Sequence, residues 1–342
     1  MVAKQINIFE LTRPKYKIKK PIRLIELFAG IGSQAKALTN IGADFEHYRV
    51  VEFDKYAIRS YNAIHNTNFP VLDITKISAE DLGIVDTYLY DYIMTYSFPC
   101  QDVSIAGDGK GFKKGSGTRS ELLWEVERVL DECKELPQVL LMENVPQVIG
   151  SKNFKDFRKW QLKLEKLGYS NYFKLLNAKD YSIPQNRKRC FMVSVLGKHN
   201  YRFPKKLDIN YSLKDFLRLN YAIDKYWKDA LESQPNDTAS RKEIWKREVK
   251  LVDEIGEIAS HTRTITTKQD RSPNAGVIYF DYVDNIKSKF RYLTPRECFL
   301  LMGFSEEDFE KVSNFPNVVL YKQAGNSIVV NVLEAIFKEL IY

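Results

Sequence analysis

The chain has 342 residues, room for about two domains at roughly 150 residues each. Its 44% hydrophobic and 28% charged fractions are those of a globular protein, and exclude a disordered chain, a collagen-like fibre and a coiled coil. Fifty-two Lys and Arg against 44 Asp and Glu leave a net charge of +8, which suits a polyanionic partner. The excess is concentrated in a few stretches. Residues 1–23 hold seven Lys or Arg and one Glu; Lys110, Lys113, Lys114 and Arg119 cluster around Asp108; Arg187, Lys188 and Arg189 are consecutive. No apolar run approaches the ~18 residues that span a bilayer, so no membrane segment is expected. The basic start, Met1 to Lys20, has no apolar h-region and reads as no secretory signal. Cys100, Cys133, Cys190 and Cys298 form no CxxC pair and have no His at zinc spacing. The expected setting is a reducing cytoplasm, with neither disulfide framework nor metal site.

In chain order, Arg23–Phe28 reads as a strand. Gly30 to Gly32 is a tight loop, and Ser33–Ile41 a helix stopped by Gly42. Tyr48–Phe53, Tyr92–Tyr96 and Val139–Met142 are further strands. Between the last two, Leu122, Leu123, Val126, Val129, Leu130 and Cys133 recur at helical spacing. Phe191–Val195 is another strand. Such repeated βα units predict an α/β fold, a mostly parallel sheet with helices on both faces. The alternation stops near residue 197. Residues 197–260 carry thirteen Lys or Arg and eleven Asp or Glu and read as the start of a smaller domain. Regular signals return at Thr294-Pro295-Arg296-Glu297, with a capping Thr, Pro at the first helical position and a Glu closing a capping box; Gly303 stops that helix. Ser327 reads as the cap of a last helix whose apolar face runs from Val329 to Leu340.

Gly30-Ile31-Gly32-Ser33-Gln34-Ala35 fits G-x-G-x-x-A between a strand and a helix, and Glu52 follows Gly32 by 20 residues. This is a nucleotide fingerprint with a ribose-binding acid. It serves NAD or S-adenosylmethionine equally, since both present a ribose to a carboxylate. Cys100, in Ser97-Phe98-Pro99-Cys100-Gln101, follows a strand, at the edge where open α/β sheets bind ligands. Beyond it Gly107, Gly109, Gly111, Gly115 and Gly117 are interleaved with lysines, as in a loop that closes over a phosphate-bearing partner. Glu143-Asn144-Val145 puts another acid at a strand end. Gln185-Asn186-Arg187-Lys188-Arg189 precedes a strand, where alternation turns Arg187 and Arg189 to the same side.

A thiolate, an acid, an arginine and a nucleoside site suit one reaction. Carbon 5 of cytosine is too weak a nucleophile to take a methyl group unaided, and a thiolate adding to carbon 6 makes the ring an enamine. The acid at ring nitrogen 3 stabilises that adduct, and the arginine holds the ring oxygen. A duplex hides the reacting edge, so the base has to be flipped out.

The ordered motifs resemble the C5 cytosine-specific DNA methyltransferase family, bacterial and phage restriction-modification type. They run Phe28-Ala29-Gly30-Ile31-Gly32, Glu52, Asp73-Ile74, Phe98-Pro99-Cys100-Gln101, Glu143-Asn144-Val145, Gln185-x-Arg187-x-Arg189, Arg291 to Cys298, and Gly325-Asn326-Ser327. The resemblance implies a Rossmann-like methyltransferase fold with S-adenosylmethionine as methyl donor and no metal. It makes Cys100 the nucleophile, Glu143 the acid, and Arg189 with Arg187 contacts to the flipped base. The cofactor pocket it implies comprises Phe28, Ala29, Gly30, Gly32, Glu52, Phe53, Asp73, Ile74, Pro99, Leu122, Asn326 and Ser327. It sets Gln101, Ser104, Lys110, Lys113, Lys114, Arg119 and Thr264 against DNA. It also implies a catalytic domain of residues 1–196 completed by 321–342, and a target-recognition domain of 197–320. The implied partners are double-stranded DNA and a cognate restriction endonuclease, and the implied state is a monomer. Leu72 and Phe53 depart from the family's usual Gly and Trp, and Phe still stacks on adenine. A tRNA cytosine-5 methyltransferase shares the chemistry, but its Cys-Phe-Thr tripeptide is absent.

Overall fold

The computed structural model describes residues 13–99, 113–115, 117–207, 211–282 and 287–342. A six-stranded sheet holds β1 (Ile22–Leu27), β2 (Phe45–Val51), β3 (Asp91–Tyr96), β4 (Val139–Asn144), β5 (Tyr169–Asn177) and β6 (Lys188–Leu196), in the order β2-β1-β3-β4-β6-β5. The first four strands are parallel, and β6 runs antiparallel to both β4 and β5. Alternate residues feed two cores. Leu24, Ile93, Leu141 and Val193 enter the core that takes in α1 (Ser33–Asn40) and α2 (Lys55–His65). Ile25, Met94, Met142 and Met192 enter the other, beneath α3 (Ala79–Leu82), α4 (Leu123–Glu132) and α5 (Phe154–Lys166). Period-two burial on both faces is what a sheet covered on both sides requires.

The predicted order of elements is present, with shifts that have physical reasons. The second strand ends at Val51, so Glu52 and Phe53 lie just past it and Asp54 caps α2. The first helix ends at Asn40, with Gly42 in the left-handed region two residues on. β5 escapes the sequence pattern. It is an edge strand whose Phe173 and Leu175 are exposed, so its alternation does not separate apolar from polar.

After β6 the chain forms α6 (Asp224–Glu232), α7 (Ala239–Arg247) and a small sheet of β7 (Lys250–Val252), β8 (Val277–Tyr279) and β9 (Phe290–Tyr292). Four helices follow: α8 (Pro295–Leu300), α9 (Glu306–Glu310), α10 (Asn317–Asn326) and α11 (Val330–Ile341). The capping box at Thr294 is formed, and its Glu297 also carries a buried pair. Arg291 donates to both Glu297 oxygens at 2.8 and 2.9 Å, while the amides of Thr294 and Arg218 donate to the same carboxylate. Ser327 is not the cap of the last helix. It ends α10, with its hydroxyl donating to the Gln323 carbonyl, and Val329 precedes α11. The chain therefore makes a sharp extended turn at 327–329 before α11 returns to α1. There Asn40 donates to Glu334 at 2.7 Å and the Ile18 amide to the Leu340 carbonyl at 2.8 Å. Among the described residues no helix is long and apolar enough to cross a membrane.

Glu26 on β1 is fully buried. Tyr61 donates to it at 2.5 Å and the Ala35 amide at 3.4 Å. Burial outweighs both and pushes its pKa up to about 7. The folded state then holds a proton that the unfolded chain has released. Its contribution is complete below pH 4.5 and is lost as pH rises to about 7, roughly 3 kcal/mol in all. Unfolding free energies of the wild type and Glu26→Gln, measured across that window, should diverge in this sense, with the wild type falling relative to the variant. Parallel curves would show that Glu26 titrates normally.

Candidate active site

The parallel strands end on one edge of the sheet. Because β6 is antiparallel to β4, its first residues lie beside β4's last, Asn144 opposite Cys190 and Glu143 opposite Phe191. This topology gathers residues distant in sequence at a single edge. β1 and β3 are neighbours there while their connections lead to opposite faces, the usual position of a ligand crevice.

Phe28 leaves β1 with φ of 58°, a left-handed conformation that a large side chain adopts at a cost of about 1–2 kcal/mol. Gly32 caps α1 at φ 82°, and a Cβ there would overlap the Tyr61 and His65 rings. His65 also bonds the Ile31 carbonyl at 3.1 Å, and burial lowers its pKa to about 4, so the neutral ring donates. At Gly30, by contrast, a Cβ would meet nothing within 4 Å, so the loop fronts open space.

Glu52 faces this loop. The Gly30 amide donates to one carboxylate oxygen at 2.9 Å and the Asp54 amide to the other at 2.8 Å. Each oxygen keeps a lone pair for a further donor. Burial raises the Glu52 pKa, opposed by these backbone bonds. The Phe53 ring is 68% exposed, a free apolar face beside the acid. Asp73 begins a short 3-10 turn, Ile74–Lys76, with its pKa lowered by the Thr75 amide and hydroxyl, and Ile74 is buried behind it. Ala29 is buried and Leu122 half-buried; the Pro99 carbonyl accepts from Ser120 at 2.6 Å. Asn326 ends α10 exposed, and Ser327 is buried behind it.

At the other end of the edge, Glu143 is buried with the Arg189 Nε 3.2 Å from its carboxylate. Burial raises the Glu143 pKa; the charges of Arg189 and Arg187 and the Ser97 hydroxyl pull it back. The next residue, Asn144, donates to the Phe98 carbonyl at 3.0 Å and accepts from the Val145 amide at 2.9 Å. That side chain ties the end of β4 to the segment that leads into Cys100.

The two arginines part company. Arg189 stays beside Glu143. Arg187 turns inward and donates to the carbonyls of Ile265 at 2.8 Å, Gly325 at 2.9 Å and Ser327 at 2.8 Å. Thr264 is half-buried, and its hydroxyl donates to the Asn186 carbonyl at 2.8 Å. Lys113 and Arg119 are exposed, and Lys114 pairs with Glu127 at 3.1 Å. Cys100, Gln101, Ser104 and Lys110 lie outside the described residues. Gln185, which opens the motif that carries the two arginines, joins this region too. It accepts from the Ile265 amide and donates to the Leu301 carbonyl. Among the described residues no group of three or more His, Cys, Asp or Glu is placed to hold a metal.

A glycine loop facing a strand-end carboxylate, at the edge of such a sheet, is an arrangement found in α/β enzymes that bind nucleoside cofactors. Family comparison gives its membership: residues 22–342 match the C-5 cytosine-specific DNA methylase family, and the chain belongs to it. It is 34% identical to Type II methyltransferase M2.ScrFI of Lactococcus lactis subsp. cremoris, over 93% of this chain and 99% of that one. It is 31% identical to Orphan methyltransferase M.SssI of Spiroplasma monobiae, over 96% and 100%. In three dimensions it is similar to the crystal structure of the S. pombe Dnmt2 methyltransferase, with a TM-score of 0.71 at 22% identity over 93% and 97% of the two chains. The expected methyltransferase fold and family are thus found, and the chain is a DNA (cytosine-5)-methyltransferase.

Gly32→Ala should lower stability by about 2 kcal/mol or more, since the added methyl meets two rings at a left-handed φ. Thermal unfolding checks this; an unchanged midpoint would mean that the loop is not packed on His65.

Proposed function

We propose that the enzyme transfers a methyl group from S-adenosylmethionine to carbon 5 of a cytosine flipped out of duplex DNA, through a covalent bond from Cys100 to carbon 6. The observation that carries this reading is the buried Glu143 carboxyl beside Arg189, at the strand end tied to the segment preceding Cys100. It is an acid biased toward keeping its proton, next to a planar donor.

The residues around the glycine loop fit the cofactor. Glu52 has lone pairs for the two ribose hydroxyls. Phe53 offers a face for adenine, and the ionised Asp73 accepts from its amino group. Phe28, Ala29, Gly30, Gly32, Ile74, Pro99, Leu122, Asn326 and Ser327 complete the pocket. When bound, the sulfonium supplies an electrophilic methyl.

The chain's own groups do the rest. The Cys100 thiolate forms the bond to carbon 6, and the ring's double-bond pair moves to carbon 5. Glu143 places its proton at nitrogen 3, so the ring does not carry the negative charge alone. Arg189 holds the ring oxygen and keeps Glu143 in register. Carbon 5 takes the methyl, a base removes the hydrogen left there, and that pair expels the Cys100 sulfur as thiolate while nitrogen 3 returns its proton to Glu143. Three other cysteines are poor candidates for this step. Burial pushes Cys133 up to about 11 and Cys190 up to about 12, and raises Cys298 well above its ordinary value. At neutral pH none of these offers useful thiolate.

Lys113, Lys114 and Arg119, with Gln101, Ser104, Lys110 and Thr264, are proposed to face the DNA. Residues 197–320 are proposed as the recognition unit, with 1–196 and 321–342 catalytic. The protein is proposed to act as a monomer in the bacterial cytoplasm, alongside a cognate restriction endonuclease.

The test is expression in a bacterial host without cytosine methylation, followed by sequencing that distinguishes 5-methylcytosine. Methylation should be confined to one short motif and should vanish with Cys100→Ser, by at least ~10³-fold in rate. Methyl transfer by Cys100→Ser at the wild-type rate would end the covalent mechanism. Absent DNA methylation by folded protein that binds S-adenosylmethionine would redirect the search to tRNA. Glu143→Gln should lower the rate by ~10²–10⁴-fold. Because burial raises the Glu143 pKa, the wild-type rate should fall as pH climbs past that raised value and the acid loses its proton. The Gln variant should lack this limb; an identical pH profile would remove Glu143 as the acid.

A further inference from the structure

We propose that Arg187 is a positioning residue for target recognition, which fixes the 262–267 segment relative to the reacting base rather than touching that base. The inference rests on the reading of that region as part of the recognition unit.

Three stretches of chain far apart in sequence meet around this guanidinium. They are 184–187 at the start of β6, 262–267 ahead of β8, and 325–327 at the end of α10. Arg187 is 4% exposed, and its Nη atoms bond one carbonyl from the second stretch and two from the third. Carbonyls are neutral, so these three bonds hold the buried cation by converging dipoles. Its field also reaches Glu143, where it opposes the rise in pKa that burial causes.

The surrounding bonds belong to the same staple. Gln185 is fully buried. It accepts from the Ile265 amide at 3.0 Å and donates to the Leu301 carbonyl at 2.9 Å. The Asn186 amide donates to the Thr262 carbonyl, and the Thr262 amide to the Pro184 carbonyl, each at 2.8 Å. Gly325 allows the third stretch to come this close, because a Cβ there would run into the backbone of Thr266 and Thr267. None of these bonds reads a base. Together they set the distance between the 262–267 segment and the Glu143–Arg189 edge through main chain.

Arginine is suited to this task and lysine is not. The planar fork spans three carbonyls from fixed directions, whereas an ammonium on a flexible stem reaches fewer. A residue that places the recognition segment changes how well DNA engages. A residue that touches the base changes the chemical step.

Steady-state methyl transfer to plasmid DNA from a methylation-deficient host separates the two, read beside genome-wide methylation maps. Arg187→Lys should raise KM for DNA by about tenfold, leave kcat within about threefold, and methylate near-cognate motifs more often. Gly325→Ala keeps the guanidinium but displaces the same backbone, and should reproduce that pattern. A loss in kcat at unchanged KM in Arg187→Lys, with wild-type behaviour in Gly325→Ala, would overturn the proposal. If either variant fails to fold, hydrogen exchange on the wild type decides. The Ile265 and Asn186 amides should exchange as slowly as those of β4; rapid exchange would show a loose junction and overturn it too. If the wild type methylated no DNA, the functional reading would fall, and the exchange rates would still decide whether the junction is a fixed frame.

Discussion

The edge that holds Glu143 and Arg189 depends on a constraint of topology: β6 runs antiparallel to β4, so the start of one strand lies beside the end of the other. Only this direction brings Arg189 within 3.2 Å of Glu143. A parallel β6 would carry its first residues to the opposite edge, a strand length away. A six-residue strand spans about 20 Å, far beyond the reach of any ion pair. The pair also needs burial. In water the Glu143 carboxyl would release its proton readily; inside, the loss of hydration favours the neutral form and the nearby guanidinium limits how far.

Much of this was legible in the sequence, for reasons that differ by element. The glycine loop, Glu52 and the strand ends at 98–100 and 143–145 are local patterns, in which neighbouring residues carry the information. The capping box at Thr294 is of this kind and is formed as read. The antiparallel direction of β6 was not legible, because strand polarity follows from how the preceding chain returns, and β5 hides that return behind an edge strand with exposed apolar residues. Ser327 misled for a related reason. A Ser before an apolar stretch is a good cap in isolation, but here its hydroxyl already serves the helix behind it.

The two arginines of one motif show the limit most clearly. Alternation along a strand puts Arg187 and Arg189 on one side, and nothing in the pattern separates them. The structure does, because Arg187 precedes β6, where the backbone is free to turn toward 262–267 and 325–327. The three carbonyls it bonds have no side-chain identity and leave no trace in the sequence. Gly325 leaves a trace, as the first residue of the Gly325-Asn326-Ser327 motif, but nothing in that motif shows that its missing side chain serves a backbone crossing.

Reactivity in this chain is a matter of environment more than of residue type. Cys133, Cys190 and Cys298 are driven toward the inert thiol by burial, and Glu26 and Glu143 toward the neutral acid. The same loss of hydration therefore favours the neutral form of three thiols and of two carboxyls. What distinguishes Glu143 from Glu26 is access. Glu26 is closed in by Tyr61 and the Ala35 amide, so its proton supports only the fold. Glu143 lies where strands end and has an arginine rather than a tyrosine beside it, the position from which its proton is proposed to serve the substrate. Burial biases both acids toward the neutral form, and position on the sheet is what sets Glu143 apart as the one proposed to act.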